Sequence, residues 1–171
     1  MAARPLSLKA RALQWLAQRE HSRVELRRKL LRLAERRSAE LAGDTHDAAS
    51  LADLAAGVDE LLDWLVAHRY LSDARFVESR VNARALRYGN VRVRLELAQH
   101  GATLDDDTAQ RLTDSEWERA RAVWARKFGG ARAATAAERA RQMRFLAGRG
   151  FSPDVIRRIV QQAAAAADDE A

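Results

Sequence analysis

Four histidines, a run of three aspartates and a row of arginines are the residues of this sequence that could do chemistry. His21, His46, His68 and His100 lie far apart. None stands three or four residues from another, the spacing that sets two imidazoles on one helix face around a metal. Asp105-Asp106-Asp107 offers carboxylate oxygens to Mg2+. The run also stands where a helix should begin, and acidic residues there meet the positive end of the helix dipole, which explains it better. Gly129-Gly130 does not form a phosphate loop, and no Walker A, GxSxG or HExxH spacing occurs. There is no cysteine, so thiolate ligands and thiol nucleophiles are excluded. No nucleophile stands with a base and an orienter. The expectation is a binding protein with no catalytic residue, no metal and no cofactor.

What remains is ionic chemistry. Arg80, Arg84 and Arg87 are spaced 4 and 3, on one helix face, and Arg75, Arg92 and Arg94 extend the set on either side. Most fall off the apolar stripes. They read either as a solvated face or, more sharply, as a contact to an anion or a partner. The net charge of +6 points the same way, since basic proteins favour polyanions and acidic protein faces. An Arg- and Ala-rich composition is the bland alternative. The charge comes in blocks: residues 1–37 hold 11 basic and 3 acidic side chains, 38–67 hold 7 acidic and no basic, and 119–160 hold 11 basic and 2 acidic. Such blocks either neutralise one another as helices pack or line a surface aimed at an anionic partner.

The elements that carry these residues are helical. Only 2 prolines and 8 glycines interrupt 171 residues rich in Ala, Leu, Arg and Glu. Leu8, Ala12, Leu13 and Leu16 recur at helical spacing. Ser22 with Glu25 has the capping-box pattern, and Leu26, Leu30 and Leu33 follow. Residues 38–57 are small and acidic and read as a linker, helical at most around Ser50 to Ala56. Leu61, Leu65 and His68 resume the helical spacing. Ser72 with Asp73 caps the next helix, where Phe76, Ala83 and Leu86 face one way and Val77, Val81 and Ala85 the other, as if buried on two sides. Gly89 is placed for a left-handed helix end. Val91, Leu95 and Ala98 form the apolar stripe of a short helix. Trp117, Ala120, Trp124 and Phe128 form a longer one, and Ile156, Ile159 and Val160 the last, after a Ser152-Pro153-Asp154 start. Trp15, Trp64, Trp117 and Trp124 share the register of Leu and Phe, which assigns them to the core rather than to base stacking.

One unit recurs. WLAQREHSRVELRRKL from Trp15, WLVAHRYLSDARFVESRV from Trp64 and FLAGRGFSPDVIRRIV from Phe145 each close a helix on an aromatic-Leu pair, turn through an Arg, and start a helix after Ser. LAQHGATLDDDTAQRL from Leu97 follows more loosely. Units this short bury too little alone and stack in rows. The predicted fold is all-α: an elongated row of three tandem short helical repeats, helix-turn-helix-like with three helices, at 1–57, 58–114 and 115–167, with a frayed tail at 168–171.

The order of these motifs resembles the RecX family, bacterial regulators of the RecA recombinase. SRVELRRKL, YLSDARFVESRVNAR, RYGNVRVRLELAQHG and MRFLAGRGFSPDVIRRIV carry the resemblance, which covers nearly the whole chain outside the linker. The family usually carries a small acidic residue where Ser72 stands. The resemblance implies a monomer whose partners are RecA and the RecA–DNA filament, with single- and double-stranded DNA as a second contact. It implies lodging in the filament groove and inhibition of ATP hydrolysis, strand exchange and filament extension. Carried over by position, Arg75, Arg80, Arg84, Arg87 and Arg94 are the contact candidates, with Lys29 and Arg149 behind them, and Arg92 joins them from the basic set above. The rival reading is DNA binding independent of RecA, and a third is a scaffold for another acidic protein. Lack of cysteine suits a reducing cytoplasm. The absence of an apolar run of about 18 residues argues against a membrane span, and MAARPLSLKA lacks the apolar core of a signal peptide.

Overall fold

The computed structural model describes residues 6–42, 50–131 and 133–165. Among these residues the secondary structure is entirely helical. The helices are α1 (Leu8–Gln18), α2 (Arg23–Ala42), α3 (Leu51–Ala67), α4 (Asp73–Ala85), α5 (Asn90–Gln99), α6 (Asp106–Asp114), α7 (Glu116–Phe128), α8 (Ala136–Gly148) and α9 (Pro153–Ala165). His46 lies outside the described residues, as does the tail from 166. The chain divides into two compact units: residues 1–76 with 100–102, and residues 77–99 with 103–171.

The first unit is built on α1, α2 and α3. Its core joins Ala12 of α1, Leu26, Leu30 and Ala34 of α2, and Val58, Leu62 and Leu65 of α3, with Leu71 beside them. Burying each Leu contributes about 1.5–3 kcal/mol. Oppositely charged side chains flank this packing, with Arg27 donating to Asp59 at 2.6 and 2.9 Å and Arg23 to Asp63 at 2.7 Å. Here the basic first block and the acidic second block neutralise each other across α2 and α3. The segment 38–57 is therefore no simple linker: α2 continues to Ala42, α3 starts at Leu51 on an N-cap from Ser50, and Val58 is buried. Small residues and a surviving three-to-four spacing suffice for helix where one face meets a core.

The second unit's core is aromatic and β-branched: Ala120, Val123 and Trp124 of α7, Leu146 of α8, and Phe151, Ile156 and Ile159 at the start of α9. Trp124 is buried and donates to Gln142 Oε1 at 3.0 Å. Trp117 is half-buried, with the Arg158 guanidinium 4.8 Å from its ring centre.

The recurring turn has a physical basis in both units. Ser22, Ser72 and Ser152 each precede a helix, and their carbonyls accept from Leu26, Phe76 and Ile156. The residues before each serine, His21, Leu71 and Phe151, are buried, as are Leu26, Phe76 and Ile156. A buried residue just before the cap and another four beyond it are the staple positions that fix how a chain enters a helix. The capping box expected at Ser22 is only half made. Ser22 Oγ accepts from the Glu25 amide at 3.0 Å, but the Glu25 carboxylate turns to both Arg19 guanidinium nitrogens instead. Two other expectations change. Ala83 and Leu86 are exposed, so α4 is not buried on two sides along its length. On α5 the buried residues are Asn90, Val93 and Leu97, while Val91, Leu95 and Ala98 face solvent.

Glu25 sits in a small polar core. His21 Nδ1 lies 3.2 Å from its Oε1, out of line for a hydrogen bond, and His100 Nδ1 lies 3.9 Å from Oε2. Burial pushes the His21 imidazole below its ordinary 6.5; Glu25 opposes this, while Arg19 and Lys29 add to it. Burial alone would raise the Glu25 carboxyl, but the Arg19 hydrogen bond and the His21, Arg19 and His100 charges bring it below its ordinary 4.5. Both shifts have one sign for stability. An imidazole harder to protonate when folded costs stability as pH drops below its unfolded value. A carboxylate easier to ionise when folded loses its contribution as pH falls through its lowered value. Thermal unfolding followed by circular dichroism should show the midpoint falling from roughly pH 7 to pH 5, and His21→Gln should flatten that fall. A slope unchanged by the substitution would assign the titration elsewhere.

Candidate partner interface: arginines around Tyr88

In the second unit, two turns are bolted together by backbone. The Gly89 amide donates to the Arg149 carbonyl at 2.9 Å and the Val91 amide to Gly150 at 3.1 Å. Gly89 is needed for this approach and not for a left-handed helix end. Its φ is not positive, but a Cβ there would stand 2.2 Å from Gly150 O and from Phe151 N. Gly150 does take the left-handed region, at φ 79°, and a Cβ on it would stand 2.5 Å from Arg92 Cβ. Each turn is thus cut to fit the other.

Two charges, one buried and one half-buried, hold the joint from within. Glu116 is 3% exposed, and its Oε1 accepts from the Asn90 amide at 2.9 Å and the Ser152 amide at 3.2 Å. One carboxylate thereby serves the N-terminal ends of both α5 and α9, where the helix dipoles favour negative charge. Arg119 donates to the carbonyls of Ala85 at 2.9 Å, Tyr88 at 3.0 Å and Leu112 at 2.7 Å, and to Asn90 Oδ1 at 2.7 Å. It occupies the carbonyl end of α4, where a cation suits the dipole. Burial lowers the Arg119 pKa and Glu116 opposes the shift.

This joint positions a ring with cations around it. The guanidinium carbons of Arg92, Arg149 and Arg84 lie 4.7, 5.6 and 5.8 Å from the Tyr88 ring centre. Arg149 also lies 5.2 Å from Phe145 and donates to the Arg87 carbonyl at 3.3 Å. Glu96 of α5 takes Arg80 at 3.2 Å and Arg84 at 3.0 Å. Of the four guanidiniums, Arg80 and Arg84 share this carboxylate. A guanidinium over an aromatic face keeps its N–H edge free for a planar anion, carboxylate or phosphate.

The residues singled out from sequence therefore separate. Arg84, Arg92 and Arg149 converge on Tyr88, with Arg80 joined through Glu96. Arg87 and Arg94 are exposed. Arg75 and Lys29 belong to the first unit. Arg75 donates to Glu20 at 2.8 Å and to the carbonyls of Arg69 and Tyr70 at 3.1 and 3.0 Å, closing the turn before α4. Lys29 Nζ lies 4.3 Å from the Trp15 ring centre, and burial lowers its pKa. The sequence reading missed Tyr88, Glu96, Glu116 and Arg119. A faint signal for the first was there: Arg84, Tyr88 and Arg92 are four apart, but the spacing runs across a helix break. Among the described residues, no group of three or more His, Asp or Glu is placed to hold a metal, and no helix is long and apolar enough to cross a membrane.

Comparison with known proteins decides the family. The regulatory protein RecX of Ralstonia nicotianae is 47% identical over 169 residues, which cover 96% of this chain and 93% of that protein. The chain belongs to the RecX family. The RecX protein of Pseudomonas putida is 40% identical over 91% of this chain and 90% of its own length. The family model for the third three-helix domain of RecX matches residues 114–160, which hold α7 and α8 and most of α9. A crystal structure of RecX from Lactobacillus salivarius shares the fold, with a TM-score of 0.63 at 20% identity over 92% of this chain and 94% of that one. RecX proteins are a family of regulators, and the all-helical architecture is theirs.

The interlocked turns make a sharp stability test. Gly89→Ala drives a methyl to 2.2 Å from the backbone of Gly150 and Phe151, and should cost about 1–3 kcal/mol. Urea unfolding should show a lower midpoint at unchanged slope. An unaltered midpoint would mean that the two turns separate easily.

Proposed function

We propose that this chain binds the RecA recombinase and the RecA–DNA filament, and inhibits ATP hydrolysis, strand exchange and filament extension. The observation that carries the reading is the arginine cluster at Tyr88, a rigidly positioned cationic surface in a chain of the RecX family. Arg80, Arg84, Arg87, Arg92, Arg94 and Arg149 are assigned to partner contact. Arg75 and Lys29 are assigned a lesser part, because both already serve the first unit's packing. The protein acts as a monomeric binding protein in the cytoplasm, without catalysis or cofactor. It is organised as three modules at 1–57, 58–114 and 115–167. The boundary at 57/58 falls inside α3, so the first two modules share a helix.

A second reading is favoured by the same cluster: a tyrosine ring with arginines around it also suits stacking on single-stranded nucleic acid. Under that reading the chain binds DNA without RecA. Salt separates the two, because each phosphate contact adds about 0.7–0.9 to the slope of log affinity against log salt, whereas a protein contact responds less.

The test is RecA's DNA-dependent ATP hydrolysis with the chain titrated in below one copy per RecA protomer. The wild type should inhibit strongly. Reversing Arg87, Arg92 and Arg94 to Glu should raise the half-inhibiting concentration by about tenfold or more. Reversing Arg28, which is exposed in the first unit, should change it little. Absence of inhibition by the wild type, with tight binding to naked DNA, would establish the second reading instead.

A further inference from the structure

Helix α5 is apolar on two sides. Asn90, Val93 and Leu97 form its buried side, at 7, 1 and 1% exposure. Val91 and Leu95, one helical turn apart, are 57 and 60% exposed, and Ala98 continues their line. Leu86, in the turn that leads into α5, is 71% exposed. By spacing alone, Val91, Leu95 and Ala98 are a core stripe, yet this stripe meets solvent. A second aliphatic stripe on a short helix, with its own core side already filled, is the pattern of a helix that packs twice: once within its unit and once against another molecule. The carboxylate on α5, Glu96, is already engaged by Arg80 and Arg84. Arg94 stands on the same face as Val91 and Leu95, and Arg87 follows Leu86. Both are exposed, and the side chain of neither makes an ion pair among the described residues.

We propose that Leu86, Val91 and Leu95 form a protein-docking surface, and that its partner presents aliphatic side chains rimmed by carboxylates. This deepens the reading above and rests on it, since the carrier of that acidic face would be RecA rather than the DNA it coats. Three arguments favour this occupant. Aliphatic side chains neither stack on bases nor donate to phosphate, so on nucleic acid they would stay wet. An apolar centre inside a charged rim is how protein interfaces are built. A second copy of this chain would bring the same stripe with the same arginines, setting cation against cation with no exposed acid on the stripe to offset them. The Tyr88 cluster and this stripe would then divide the work, the first taking anions and the second taking protein.

The experiment uses the full chain carrying L86S, V91S and L95S together, and separately Leu95→Glu alone. All three side chains are exposed, so thermal unfolding should match the wild type, and the single variant serves if the triple does not fold. Inhibition of RecA's ATP hydrolysis is measured beside fluorescence anisotropy on single-stranded DNA without RecA. The expected result is a rise of about tenfold or more in the half-inhibiting concentration, with naked-DNA affinity within about twofold of wild type. Leu95→Glu should be worse than serine, because it faces carboxylates. Inhibition unchanged in both variants overturns the proposal and leaves the regulator reading standing. Equal loss of naked-DNA affinity also overturns it, and assigns the stripe to nucleic acid. A wild type that does not inhibit RecA overturns both.

Discussion

One buried carboxylate governs the second unit. Glu116 accepts from the first amide of α5 and from the amide just before α9, so two helices distant in sequence begin at the same negative charge. Arg119, one turn along the same helix, performs the reverse service for the carbonyl end of α4. Neither charge is isolated: Glu116 meets two backbone amides and Arg119 three backbone carbonyls, which offsets the cost of taking them from water. The arrangement around Tyr88 follows from that joint. It brings the turn at Tyr88 against the turn at Arg149, and the arginines of both converge on one ring.

The same logic explains why a rigid surface can be made from long, flexible side chains. Arginine loses considerable rotamer freedom when it is held in place. Here the loss is offset locally, by the ring beneath Arg92 and Arg149 and by Glu96 beside Arg80 and Arg84. The surface therefore presents its positive charge largely preformed. The first unit treats charge differently: Arg23 and Arg27 pair with Asp63 and Asp59 across two helices, while Arg28, Arg32 and Arg36 of α2 are exposed.

How far the sequence could be read depended on whether a feature was local. The helix starts at Ser22, Ser72 and Ser152 were legible because a cap and its staple lie within five residues. The core stripe of α7 was legible because Ala120, Trp124 and Phe128 keep one helical period. The family was legible because four such motifs occur in order. What escaped was decided at a distance. Glu116 looks like a surface charge until Asn90 and Ser152 arrive, and Gly89 looks like a helix end until residues 149–151 pass over it. On α5 the spacing pointed to Val91, Leu95 and Ala98, but the core takes Val93 and Leu97, a choice made by packing partners distant in sequence. The arginines were identified as a set, but the ring that gathers three of them was not.

The return of the chain to the first unit has a consequence for how the protein is made. Ser22 Oγ donates to the carbonyl of His100, 78 residues on, while Phe76 and His100 meet edge to face and a Cβ on Gly101 would strike Val24. Residues 100–102 are thus part of the first unit although residues 77–99 belong to the second. On the ribosome, the first three helices emerge and collapse early, but their unit closes only after residue 102 has cleared the exit tunnel. At about 5–20 residues per second, that is a delay of seconds during which His21 and Ser22 lack their last neighbours. The N-terminal part of the chain is therefore born as a domain with one piece still to come.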